Sequence, residues 1–321
     1  WPSILGQLGI VIVATVVGFA VLRMLATGIF RRLDHWVIRQ GSGTPADPPR
    51  RHRLAAFGSR LALFYTRAIA MILALVVDVA VILLAGMVGG YLLVFLLVRY
   101  LFRQKPGLAA LLALSVSGPA VPFVGVPVLG HLYGTISTIP IALCSIIMNL
   151  FQVPLTILIL SSSDTEKKDD SFLQHIVHTL KEPVVWAPVL ALILLLCNLH
   201  IPAAFRSALQ LLGGTTGGVA LFASGVILYS YHVVFNRTVI LSIVAKNILL
   251  PLLIMALAIW LHTDRQTLSL SVISMAIPTA SVCVILAVQY KTAGQEIASI
   301  LFFSTLFSIL TMGGLLYYLA G

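Results

Sequence analysis

Charge is scarce in this chain. Only 9% of its 321 residues are Asp, Glu, Lys or Arg, against about 25% in a soluble domain. So few ions cannot keep a folded surface in water, which excludes an ordinary soluble globule and leaves lipid as the solvent. Cysteine is scarce too. Cys144, Cys197 and Cys283 are scattered through apolar segments without metal-ligand spacing and read as small buried hydrophobes. There is no phosphate-binding loop, nucleophile elbow or metalloprotease signature. His175 and His178 have a helical metal-binding spacing but no third ligand nearby, and read as interfacial histidines. Nothing supports an enzyme, and neither a cofactor nor a metal is expected.

Apolar residues make up the bulk: 60% of the chain, with a mean hydropathy of +1.06. A spanning helix needs about 20 of them in sequence. Ten stretches qualify: 3–22, 54–74, 77–102, 107–132, 135–161, 183–200, 203–230, 238–261, 267–290 and 296–319. The boundary between the second and third is not marked. Gly86, Gly89 and Gly90 in the third suggest either a bend or a close helix contact.

A net charge of +10 would suggest nucleic acid in a soluble protein. Here the basic residues flank the apolar spans, and no nucleic-acid partner is expected. Sixteen of the twenty lie on alternate loops, eight of them between the first two spans (Arg23, Arg31, Arg32, Arg39, Arg50, Arg51, Arg53, Arg60). The positive-inside rule makes that side cytoplasmic and sends both termini outward, across a plasma (cytoplasmic) membrane.

One long polar loop, Ser161 to Lys181, interrupts the later part, and its second portion (172–180) reads as a short amphipathic helix at the interface. It separates a first repeat, 1–161, from a second, 183–321, across a linker at 162–182. Five spans on each side force the second set to insert upside down, giving an all-α integral membrane protein with an inverted repeat.

The fourth span of each repeat is broken. The first break reads Gly118-Pro119-Ala120-Val121-Pro122-Phe123-Val124-Gly125-Val126-Pro127, and the second Ala276-Ile277-Pro278-Thr279-Ala280-Ser281. Proline stops the backbone ladder, and hydrocarbon has no water to satisfy the freed groups, so matched breaks mark a protein-lined binding site. The expected site comprises Ser117, Gly118, Pro119, Ala120, Val121, Gly125 and Pro127 with Pro278, Thr279, Ala280 and Ser281. New helix N-termini there offer N–H groups to an anion. A kinked helix packed against its neighbours is the alternative.

Lys246, beside Asn247, sits deep in the eighth span. A charge there costs about 2.5–3.5 kcal/mol on insertion scales. It either handles an anion or a proton, or caps the carbonyls of a broken helix. Asp78 and Arg67 are the other charges within spans, unless they mark a loop. Asn149 and Gln152 share a face of the fifth span and either read a polar substrate or bond to neighbouring helices. Gly213, Gly214, Gly217 and Gly218 with Thr215 and Thr216 form a smooth face in the seventh, suited to close packing or a dimer seam.

An ordered set of segments resembles the auxin efflux carrier family, which includes bacterial malonate-permease-type proteins. They are Ala110–Ser117, Gly125–Gly130, Lys181–Pro188, Gly218–Leu228, Ala245-Lys246 with Pro251, Ala276–Ala280 and Ser304–Leu310. The resemblance implies ten helices in two inverted five-helix repeats with crossing broken helices, a sodium/proton-antiporter-like fold. It further implies a homodimer and elevator-type movement of a small organic anion, with a proton as coupling ion in some relatives. The family often has Asn where this chain has Ala120, removing an amide that would orient a carboxylate. It also usually has a proline near the end of the second span, where this chain reads Tyr65-Thr66-Arg67. Residues 1–75 match poorly, and Gly41–Arg50 looks like an insertion. A sodium-coupled carrier of the bile-acid-symporter type, a non-transporting sensor and an anion channel are the rival readings.

Overall fold

A computed structural model describes residues 71, 73–163, 180–197 and 202–320. The chain forms two compact units, Trp1–Val81 and Ile82–Gly321. The span expected at 3–22, that at 54–74 up to residue 70, the arginine-rich loop between them, Arg67, and the interfacial segment with His175 and His178 lie outside the described residues.

Among the described residues everything regular is helical: α1 (Leu73–Leu101), α2 (Pro106–Ser117), α3 (Val126–Tyr133), α4 (Thr138–Ile147), α5 (Val153–Ser162), α6 (Pro183–Leu196), α7 (Ala203–Ser230), α8 (Arg237–Trp260), α9 (Arg265–Ala276), α10 (Val282–Gln289) and α11 (Gly294–Ala320). Polar caps set two of the starts. The side chain of Asn236 accepts from Val239 N at the head of α8, and that of Asp264 accepts from Thr267 N at the head of α9.

Among the described residues, five helical stretches are long and apolar enough to cross a membrane: Leu73–Leu101, Phe123–Ser162, Ala203–Ser230, Arg237–Trp260 and Gly294–Leu319. The second is 40 residues, about 60 Å of helix against a hydrocarbon core of about 30 Å. It is not one span. Gly134 turns the chain between α3 and α4 with φ +60°, a backbone angle suited to glycine. The predicted boundary between 107–132 and 135–161 falls at this turn.

Five described segments slip into wider π turns: Ala85–Gly89 and Leu97–Leu101 in α1, Val121–Gly125 leading into α3, Met148–Gln152 at the α4–α5 junction, and Ala245–Leu249 in α8. Three of these segments end two residues before a proline, Pro127, Pro154 or Pro251. Proline has no N–H to return to residue i−4, so the ladder shifts register there.

At the centre of the second unit lie α2 and α9. Every residue from Ala109 to Ser117 and from Ser269 to Ala276 is buried, so both are enclosed by protein on all sides. Their serines turn inward on the helix itself: Ser115, Ser117 and Ser274 donate to Leu111 O, Ala113 O and Leu270 O. Around them α1 and α5 pack against α2, while the second half of α8 packs against α9. The outer surface carries large exposed apolar groups such as Phe222, Leu253 and Leu310, as a lipid-facing surface should.

Candidate functional site

Both predicted breaks are present. Helix α2 ends at Ser117 and the chain re-enters a helical path at Val121, whereas α9 ends at Ala276 and α10 begins at Val282. Between these ends the backbone extends, with φ −95°, ψ 98° at Gly118 and φ −60°, ψ 139° at Ile277. The two extended pieces cross as an antiparallel bridge between Pro119 and Thr279. Ala120 N donates to Pro278 O at 2.9 Å, and Ala280 N donates to Gly118 O at 3.1 Å. Each break thus satisfies backbone groups that the other proline leaves exposed.

Close approach depends on Gly118. A Cβ there would sit 2.7 Å from Leu114 O, the carbonyl to which Gly118 N donates at 2.8 Å. Gly125 lies just as tightly against Ile277, whose Cδ1 would be 2.9 Å from an added Cβ.

Polar side chains lock the crossing on both sides. Thr279 Oγ1 donates to Ser115 O at 2.8 Å, and Thr279 N donates to Ser304 Oγ at 3.3 Å. Ser304 Oγ donates onward to Asn247 Oδ1 at 2.8 Å, while Asn247 Nδ2 donates to Ser304 O at 2.9 Å. Opposite them, Gln152 Nε2 donates to Met87 O at 2.8 Å and to Ser117 Oγ at 2.9 Å. Behind it, Thr156 Oγ1 donates to Gln152 O at 2.7 Å and shares a 2.9 Å hydrogen bond with Tyr91 Oη.

Lys246 has no exposed surface. Its Nζ donates to Met275 O in the last turn of α9 at 3.4 Å, and it makes no ion pair among the described residues. Met275 O is one of the terminal carbonyls of α9, which carry partial negative charge. One long bond still leaves most of an ammonium's donor capacity unused.

Ser117, Gly118, Pro119, Ala120, Val121, Gly125, Pro278, Thr279, Ala280 and Ser281 are all buried at or beside the crossing. Ala120 N and Ala280 N are committed to the bridge and Thr279 N to Ser304. The N–H groups of Val121, Ser281 and Val282 have no hydrogen-bond partner among the described residues. Pro127 is exposed on α3, and Asn149 is half-buried without a hydrogen bond to a described residue. Asp78 is half-buried on α1, in the other compact unit. Gln152 was not separable from Asn149 by sequence, because helical spacing puts both on one face. The intervening π turn widens the helix and swings them apart. Cys144 and Cys283 are buried and Cys197 is exposed, all with free thiols. No group of three metal-ligating side chains occurs among the described residues.

Residues 62–316 match the family described as Membrane transport protein. The uncharacterised transporter YfdV of Escherichia coli (strain K12) is 34% identical over 193 residues, as are its counterparts in Escherichia coli O157:H7 and Shigella flexneri. Each alignment covers 59% of this chain and 62% of the relative, so the chain spans less than two thirds of the curated proteins it matches. With apolar helices of spanning length, paired broken helices and a family match over most of its length, the chain belongs to this membrane transport family, the auxin efflux carrier type, whose members are transporters rather than enzymes.

Proposed function

We propose that the protein is a secondary transporter of a small organic anion, binding its carboxylate where the broken helices cross. The observation that carries this reading is the enclosed Lys246. Its amine has no described counter-charge for a proton it carries and is held by a single long bond at the end of α9. An unpaired charge in a low-dielectric interior is costly, and a bound anion would relieve that cost. The unpartnered N–H groups of Val121, Ser281 and Val282 supply further donors in the first turns beyond the breaks.

The wider architecture belongs to the same proposal: ten helices in two inverted five-helix repeats, 1–161 and 183–321, working by elevator-type alternating access. So do a homodimer, both termini outside the plasma membrane, and a proton rather than sodium as any coupling ion. A sodium site needs several free oxygens, but Asn247 Oδ1 is already engaged by Ser304 and no acidic side chain joins the crossing among the described residues.

The test is counterflow of radiolabelled malonate in liposomes containing the purified protein, competed by a panel of unlabelled carboxylates. Saturable exchange that is unchanged when potassium replaces sodium is the expected result. Binding without exchange would favour a sensor, and conductance far above carrier turnover would favour a channel. Because Ala120 stands where relatives often have an amide, Ala120→Asn is expected to tighten carboxylate binding, read as a lower half-saturating malonate concentration.

A further inference from the structure

Gln152 holds an oxygen that the crossing does not use. Its Nε2 is committed twice, to Met87 O and Ser117 Oγ, while its Oε1 is buried with no hydrogen-bond partner. The amide orientation is fixed by chemistry. Met87 O can only accept, and Ser117 Oγ gives its own proton to Ala113 O, so both need a donor from Gln152. Flipping the amide would set its oxygen against two acceptors. The free oxygen therefore stays where it is, 3.6 Å from the place a Cβ would occupy on Gly118, beside the bridging Pro119.

A buried carbonyl oxygen without a donor is destabilising. Asn247, the corresponding amide on the other side of the crossing, shows what full satisfaction looks like: both its oxygen and its nitrogen are paired with Ser304. Among the buried side chains of the described crossing, Ser271 Oγ on α9 is the other oxygen without a partner, but Gln152 Oε1 is an acceptor alone and can be satisfied only by a donor from outside.

We propose that Gln152 is a specificity-determining residue, its Oε1 accepting a hydrogen bond from the transported molecule. The site then takes a monoanion that carries a hydroxyl donor, meaning a small hydroxy acid or a half-protonated dicarboxylic acid. This rests on the anion reading above and sharpens it. Lys246 and the free N–H groups answer one carboxylate, and Gln152 Oε1 answers the hydroxyl. A dicarboxylic acid such as malonate would meet the oxygen with the hydroxyl of its protonated carboxyl, and a plain apolar acid would leave the oxygen unpaired. Sites built to bond a hydroxyl reject the analogue without it more strongly than apolar pockets separate shapes.

The test uses thermal stabilisation of the purified full chain by lactate, glycolate, propionate and isobutyrate, with malonate alongside. Isobutyrate replaces the lactate hydroxyl with a methyl group of similar size. Lactate is expected to stabilise at concentrations about tenfold or more below isobutyrate, the effect of one recovered hydrogen bond. In Gln152→Leu the two acids are expected to become equal within about twofold, whatever happens to overall stability. A ratio that persists in Gln152→Leu would overturn the assignment to Gln152. Equal stabilisation by both acids in the wild type would overturn the proposal by itself, so the outcome does not depend on the variant folding. If none of the five anions stabilised the protein, the anion reading would fall and this proposal with it.

Discussion

Lys246 sits where a bilayer protein tolerates charge least, with no exposed surface and one 3.4 Å bond to Met275 O. A buried amine without a counter-charge carries a desolvation cost, which an apolar side chain of similar length removes. Lys246→Met is therefore expected to keep or raise the melting temperature of the purified protein while lowering anion exchange about 100-fold or more. A variant that melts much earlier would make helix-end stabilisation the main role of this lysine. The depth of Lys246 was legible in the sequence, because apolar residues extend far on both sides of it. Its partner was not, since Met275 is 29 positions away on another helix. Gln152 was legible only as one of two polar residues on a face, because its distinction from Asn149 depends on the π turn.

At the scale of elements, each break is a short extended segment whose backbone is completed by the other. Gly118→Ala would push a methyl group to 2.7 Å from Leu114 O, and backbone cannot yield as a flexible side chain can. The expected loss is about 1–3 kcal/mol, measured as a fall in melting temperature. Thr279→Val keeps the shape but removes the donor to Ser115 O. It should cost about 1–3 kcal/mol for the carbonyl left unsatisfied, with weaker exchange because the break is less firmly held. The breaks themselves could be read from the Pro and Gly clusters, which forbid a continuous helix. That they bridge one another could not, because no local pattern encodes the pairing of Pro119 with Thr279.

Over the whole molecule, hydropathy located the described helices well, five of them long and apolar enough to cross a membrane, because a bilayer imposes one length and one polarity on every crossing. The third to fifth and seventh to tenth predicted spans each coincide with described helices, two of them broken as expected, and the sixth begins at Pro183 as a shorter helix ending at Leu196. The π segments were not legible, since they arise from ladder shifts that leave composition unchanged. Family membership followed from an ordered set of segments spread along most of the chain, and the match over residues 62–316 covers the same region. The central claim is that the enclosed crossing, with Lys246 as its counter-charge, is where the transported anion binds. The most direct measurement is malonate counterflow into liposomes carrying equal amounts of folded wild-type protein or Lys246→Met. Saturable exchange by the wild type and near-background exchange by the variant, at an undiminished melting temperature, is the predicted result. Equal exchange by the two proteins would contradict it.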